Sequence, residues 1–475
     1  MSSRGKTRSK KGSRNKKNTK NVFNKTYKNG VKFKKNGWTY VSVKGSPMER
    51  GEAHGYLVAE ELKKALEMVH YVAYQEHGET WEWFVQKAQE VFRPYMEKHH
   101  KEYLEEMKGI AKGATKGGTR TTLEEILAWN AFFPMFDYWY PNYVSETSER
   151  KDFLFTNPNF FKKDRCSAFI ATGSQTKDGK IVLAHNTFDE FVSAQHACVM
   201  LNIKPTKGHE ILMQTMPGWI WSGTDIYVSG SGIVCAETTI GGFLYYKTGN
   251  PVFCRIRQAM QYAKTLEECK KIMLKDNTGG YANSWLFGDT KTNKIMRLEL
   301  GLKYHSVDIK SDGYFIGFNA PFDPKIRVLE CHNSGFYDIR RHQGARRKRL
   351  TELMEEHKGK IDEEIAKKIL ADHYDVYLRK INPCSRTVDS HYDLDAREYM
   401  SQASRPKPFQ PRGAVDGKVT SSRLAKELAL WGRWGNSSGM AFSAKEFLRK
   451  NSQWDFLRDL LFDRPSQPWT LFKGL

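Results

Sequence analysis

The sequence predicts an α+β fold of αββα layering, and three observations lead there. Apolar residues recur at helical spacing through the first third of the chain. From Cys166 onward the pattern changes to period two, with tight-turn signals between the runs. Helix-like segments then interrupt and follow the strand series, and helices segregated outside sheets cover them best as helix, sheet, sheet, helix. At 475 residues the chain can bury a large core.

Residues 1–37 read as a disordered basic tail, because SSRGKTRSKKGSRNKKNTKN has almost no apolar residue to offset the entropy of ordering. Fourteen Lys and Arg and no acid lie in residues 1–35, which leaves +8 of the formal +22 for everything else. The basic excess is mostly a tail, which fits either docking to nucleic acid or another polyanion or a solubilising extension. Residues 38–140 read as a helical segment entered through a short strand at Trp38–Val43. One helix shows an apolar face of Leu62, Ala65, Leu66, Val69, Val72 and Ala73; a second spans about 80–114; a third opens with Thr122 and Glu125 in capping-box spacing. Residues 141–165 lose periodicity and read as an exposed linker.

Residues 166–475 carry the strands. CSAFIATG and KIVLAHNTF flank a TKDG turn; IYVSG and GIVCAETTI flank a Gly-rich turn; ANSWLFGD, IMRLELGL and YFIGFNAP continue an antiparallel series. Helices are expected in PVFCRIRQAMQYAKTLEECKKIML, GARRKRLTELMEEH, IDEEIAKKILADHYDVYL and SSRLAKELALWGRW.

Several classes are excluded. No apolar run approaches the length of a membrane span, and the N-terminus lacks the apolar core of a secretory signal, so a cytoplasmic location or packaging in a particle such as a virion is expected before secretion. Seven widely spaced cysteines without a CxxC pair argue against a disulfide framework or zinc cluster. No cofactor is expected. His99-His100 and His391 near Asp389 and Asp393 resemble metal ligands, but their spacing fits no standard site and no metal is assigned.

The chemically suggestive residue is Cys166, which opens a strand at the end of the polar linker. If the Arg165–Cys166 bond is cut, a thiol and a new α-amine share one residue. An α-amine titrates near pH ~8, so it can take the thiol proton without a separate histidine. From composition alone, an inert core cysteine is the alternative.

The stretches CSAFIATGSQTKDGKIVLAHNTFDEF, MPGWIWSGTDIYVSGSGIVCAETTIG and GGYANSWLFGDTKTNKIMRLELG occur in this order between about Cys166 and Pro321, with SPMERGEAHG upstream and the SRTVDSHYDLD run downstream. In them the chain resembles the phospholipase B-like family and its bacterial relatives, which are related to isopenicillin N acyltransferases among the N-terminal-nucleophile hydrolases. The resemblance implies a four-layer αββα hydrolase made as a precursor, with Cys166 as nucleophile and the bond after Arg165 as the autoproteolytic one. It also implies roles for His185, Asn186 and Asp189. The first of these stands where more distant amidases, such as bile-salt hydrolases and acid ceramidase, have an arginine.

By the same resemblance Asn283 is the oxyanion donor, Arg297 supports the site, and Glu237 and Thr238 lie just behind it. Read from the residues alone, Asn283 equally fits a turn cap, Arg297 a salt-bridged strand residue and His185 a satisfied core histidine. Trp219 and Trp221 fit either core or the lining of an acyl pocket.

The expected activity is hydrolysis of phospholipid acyl esters through a cysteinyl thioester, that is, lipid degradation, with contact to a membrane surface. The alternatives are an acyl-amide hydrolase or acyltransferase acting on N-acyl substrates, and a non-catalytic protein that binds polyanions through residues 1–35. Oligomeric state is not legible in the sequence.

Overall fold

Side-chain alternation along the strands sets the layers. In Ile233–Thr239, Ile233 and Cys235 join a core shared with the N-terminal helices, whereas Val234 and Ala236 enter a middle core. In Cys166–Thr172, Ala168 and Ile170 enter that same middle core, while Phe169 and Ala171 face a third core with Leu350, Leu353 and Ile369. Two sheets therefore meet across the middle core. Helices cover both outer faces, in the αββα order expected.

This computed structural model describes residues 25–147, 165–243, 245–332, 335–396 and 407–475. The first sheet has ten strands in the order Lys25–Tyr27, Gly30–Lys35, Trp38–Gly45, Val199–Pro205, Ile211–Thr215, Ile226–Ser229, Ile233–Thr239, Asn283–Asp289, Lys294–Leu300 and His305–Lys310. The second runs Gly313–Gly317, Cys166–Thr172, Val182–Glu190, Asp416–Ser421, Ala429–Trp434 and Thr470–Lys473, with Arg412–Ala414 on the end of Val182–Glu190. Helices His342–Glu356 and Glu363–Leu370 carry Leu350, Leu353 and Ile369 into the third core.

Five sequence expectations change. The sheets are not wholly antiparallel: Trp38–Gly45 pairs in parallel with Val199–Pro205, which the long helical connection between them allows. The basic stretch is strand from Lys25, because Phe33 buries against Tyr40 while Val31 pairs half-buried with Ser42; residues 1–24 lie outside the described residues. The stretch SSRLAKELALWGRW is helical only over Ser422–Lys426, since Leu428 takes a left-handed φ of 45° and the chain turns into the strand Ala429–Trp434. The helix expected over 80–114 breaks at His100 into Trp81–His99 and Lys101–Lys116. Of the expected linker, Tyr140–Thr147 is helical and residues 148–164 lie outside the described residues.

The helices Pro47–Leu57 and Lys101–Lys116 cross in backbone contact. A methyl group at Gly55 would lie 2.0 Å from the Ile110 carbonyl oxygen, and one at Gly113 2.0 Å from that of Glu52. Small residues are required there because the obstacle is main chain, which cannot rotate away. The approach also closes a buried ionic cluster, in which Glu106 accepts from Arg50 Nε at 2.7 Å and from Arg257 Nη2 at 3.0 Å. Gly113→Val is expected to cost at least about 1–3 kcal/mol in chemical denaturation. Glu105→Ala, exposed on the same helix, should stay within about 0.5 kcal/mol.

Candidate active site

Cys166 is the first residue of its strand and fully buried. Its main chain is held from two directions. The amide N–H donates to Asn319 Oδ1 at 3.1 Å, and the carbonyl accepts from Arg346 Nη1. Arg346 reaches Asn319 Oδ1 as well, at 2.9 Å, and Asn319 Nδ2 donates to the Thr239 carbonyl at 2.7 Å. One arginine and one asparagine thus tie the start of a strand of the second sheet to the end of an interior strand of the first. On the other side of the Arg165–Cys166 bond, the Arg165 carbonyl accepts the Phe188 N–H at 2.5 Å.

The thiol has its own surroundings. Cys166 Sγ lies 3.6 Å from Asp225 Oδ2, and the ligand atoms of Cys166, His185 and Asp225 all fall within 4.8 Å of one another. Tyr281 donates its hydroxyl to Asp225 at 3.1 Å. Behind this group Lys418, also fully buried, donates to Thr187 Oγ1 at 2.7 Å and to the Thr224 carbonyl at 2.6 Å, and pairs with Asp416 at 3.0 Å. Asp225, Tyr281 and Asn319 each adopt a left-handed φ, of 71°, 61° and 67°. That conformation is uncommon outside glycine, and three instances round one thiol mark backbone bent to place side chains.

Burial dominates the electrostatics. It pushes the Cys166 thiol well above its ordinary value, and the nearby Asp225 and Glu237 push the same way. Burial also raises Asp225 from 3.8 to about 6, against the pull of Lys418 and the Tyr281 hydroxyl. Glu237 is raised well above the usual carboxyl range by burial and by Asp225 beside it. His185 is held neutral by burial and by Lys418, which sits directly opposite it in the strand register. In the uncut chain the thiol is therefore held in its protonated form and needs a base beside it to become a thiolate.

The other sequence-derived candidates are placed as follows. His185 faces the middle layer beside the thiol, and neither ring nitrogen has a hydrogen-bond partner among the described residues. Asn186 points the opposite way along the strand: its Oδ1 accepts from Ser167 N at 3.1 Å and its Nδ2 donates to the Val388 carbonyl at 3.1 Å, so it braces the strand rather than meeting the thiol. Asp189 pairs with Arg165, which also pairs with Asp137 and lies over the Phe133 ring at 4.1 Å.

Asn283 is buried opposite Thr239, and its amide has no partner among the described residues. Thr238 packs against Gly317. Arg297 pairs with Asp308 at 2.6 Å and stacks over Phe322 at 4.2 Å. The arginine that touches Cys166 is Arg346. Trp219 and Trp221 stack at 5.2 Å inside the helix-side core, and Trp221 and Phe133 lean on Tyr281. A cleft lined by Phe136, Asp137, Arg165, Asp189 and Arg412 reaches the residue before Cys166.

Sequence reasoning missed Asp225, Tyr281, Asn319, Arg346 and Lys418. Asp225 and Asn319 lay within quoted stretches, SGTDIYV and FIGFNAP, as polar residues where a strand meets a turn, which was the available signal. Arg346 carries none, because in ARRKR it is one cation among several.

With the geometry in place, the comparisons assign the class. The chain matches the family model for phospholipase B over residues 26–435 and belongs to that family. It is 22% identical over 309 residues to putative phospholipase B-like 2 of Rattus norvegicus, covering 56% of this chain and 52% of that one. It is 25% identical over 299 residues to phospholipase B of Crotalus adamanteus, covering 56% and 50%. The chain thus spans about half the length of the curated relatives it matches. Among solved structures, penicillin V acylase from Agrobacterium tumefaciens aligns over 57% of this chain and 83% of its own, with 10% identity and a TM-score of 0.35. No helix among the described residues is long and apolar enough to cross a membrane.

Burial makes the thiol's accessibility testable. Brief alkylation of the uncut native chain should label the half-buried Cys198 and Cys331 well before Cys166, with all seven cysteines reacting after denaturation. Peptide mass mapping reads the order, and early labelling of Cys166 would contradict the burial described here.

Proposed function

We propose that the chain is an acyl hydrolase in which Cys166, freed as an N-terminal residue, attacks an acyl ester of a phospholipid. One observation carries this reading: the main-chain nitrogen and the thiol of Cys166 already have separate polar partners, Asn319 Oδ1 and Asp225. Any buried N–H needs an acceptor, but an inert core cysteine needs no carboxylate beside its sulfur. The unpartnered Asn283 amide supports an oxyanion-donor role, since an orphaned buried amide costs about 1–3 kcal/mol unless something it binds repays it. Such a donor is worth roughly 10²–10³ in rate.

Self-cleavage would run on the same atoms. Asp225 accepts the thiol proton, and Sγ attacks the Arg165 carbonyl carbon while the Phe188 N–H holds the developing oxyanion. The C–N bond to Cys166 breaks, its nitrogen gains a proton, and the Arg165 acyl group rests on sulfur as a thioester. Water then releases the Arg165 carboxylate, leaving Cys166 with a free amine and thiol. In turnover the amine, hydrogen-bonded to Asn319, takes the role of base, and substrate passes through an acyl thioester that water resolves.

Cutting the bond need not release the upstream segment. Trp38–Gly45 is an interior strand of the first sheet, and Leu57, Leu62, Val69 and Phe84 fill the core on that sheet's outer face. Shedding them would expose that core to water, so the two fragments are expected to stay together.

Intact-mass measurement tests the nucleophile. The purified chain should give two co-eluting fragments, the larger beginning at Cys166, and Cys166→Ala a single uncut chain. An unbroken parent, or equal acyl hydrolysis by the alanine variant, would overturn the reading. Parallel assays on a lysophospholipid and an N-acyl amino acid decide between ester and amide.

Because self-cleavage needs the Asp225 carboxylate, and burial lifts that group from 3.8 to about 6, the cleavage rate should rise with pH through about 6 and level off above it. Time courses of fragment formation at stepped pH measure this. A flat profile would remove Asp225 as the base.

A further inference from the structure

A second group of ligand-type side chains lies outside the cluster described above. His373, Asp389 and His391 bring one ligand atom each to within 4.8 Å of one another. Asp389 is completely buried, and the His391 side chain is 4% exposed. His373 Nε2 stands 3.3 Å from Asp389 Oδ2, and His391 Nε2 stands 3.5 Å from the same oxygen. Neither nitrogen has a hydrogen-bond partner among the described residues.

Those separations discriminate between two explanations. A histidine donating to a carboxylate closes to about 2.7–2.9 Å. Ligands about 2.0–2.1 Å from a tetrahedral zinc ion are instead spaced by about 3.3–3.5 Å, the edge of the tetrahedron. Both His–Asp separations fall in the second range. Two imidazole nitrogens thus converge on one carboxylate oxygen at ion-pair distance without closing to hydrogen-bond length, and a cation between them would satisfy all three.

The surroundings suit a metal. Asp389 is oriented by the backbone N–H groups of Ser437 at 3.3 Å and Ser438 at 2.9 Å, and His391 Nδ1 faces Asp393 Oδ1 at 3.6 Å. A carboxylate behind a ligating histidine is the usual way its ring is oriented. The His373 side chain is 14% exposed, so a fourth position on that side is open to water.

We propose that His373, Asp389 and His391 form a binding site for a divalent transition metal of the zinc type. Its place in the fold suggests a bracing role. The Val388 carbonyl, one residue from Asp389, accepts from Ser167 Oγ at 3.0 Å and from Asn186 Nδ2 at 3.1 Å, so fixing this loop fixes the wall behind the nucleophile's strand.

The test uses the full chain carrying Cys166→Ala, which removes the thiol from the other His and Asp group. Loaded with cobalt(II) and desalted, it should retain about one equivalent per chain. Its visible spectrum should be that of tetrahedral cobalt, without a thiolate charge-transfer band. Zinc should compete the cobalt away and raise the melting temperature. Adding His391→Ala, or His373→Ala at the more accessible rim, should abolish both retention and the thermal shift while circular dichroism stays unchanged. Should either histidine variant prove unfolded, the cobalt spectrum of the parent decides by itself. Failure of the parent to retain cobalt or zinc, an octahedral spectrum, or unchanged retention in both histidine variants would overturn the proposal.

Discussion

The site depends on one shared interaction, the grip of Arg346 and Asn319 on the main chain of Cys166. Arg346 comes from a helix covering the second sheet, Asn319 from the segment leaving that sheet, and Thr239, which receives the Asn319 amide, from the first sheet. Cys166 is thereby fixed to three layers of the fold at once. This matters because Cys166, at the end of its strand, has a backbone neighbour on one side only and would otherwise fray. A bidentate guanidinium shared between a carbonyl and a side-chain oxygen gives a geometry that a lysine could not reproduce. Arg346 is fully buried, so its charge is acceptable only because those oxygens surround it.

Much of the architecture was legible because alternation is a local signal. CSAFIATG, GIVCAETTI and ANSWLFGD each show which residues face which core, and the layers follow from them. What could not be read was assignment to sheets. YFIGFNAP continues the strand series in sequence but pairs with Cys166–Thr172 in the second sheet, and register between distant segments leaves no trace in periodicity. ALWGRW was read as a continuing helix, because Leu, Trp and Arg suit either state and the left-handed turn at Leu428 is not a glycine.

The candidate site shows the same division. Cys166, His185 and Glu237 came from strand motifs and lie close together in space. Asp225, Asn319 and Arg346 reach the same place through turns and a helix, and their meeting depends on the whole fold. Arg297 illustrates the limit of position alone. It follows Asn283 on the next strand, yet its charge is met by Asp308 and two aromatic rings, while the arginine that touches Cys166 lies far along the chain.

The unmet polar groups around the thiol complete the physical picture. His185, Glu237 and Asn283 are buried with side-chain atoms lacking partners among the described residues; burial raises both Asp225 and Glu237, and Asp225 raises Glu237 further. A protein evolving for stability alone would replace such groups with apolar ones of similar shape, as the neighbouring core does at Leu183, Ala236 and Leu286. Their concentration within reach of one sulfur is therefore a cost borne locally, and the dense helix crossing at Gly55 and Gly113, with the interior strand Trp38–Gly45, supplies packing that offsets it. The segment before Cys166 thus supplies an interior strand and much of the helix-side core on which the Cys166 surroundings rest.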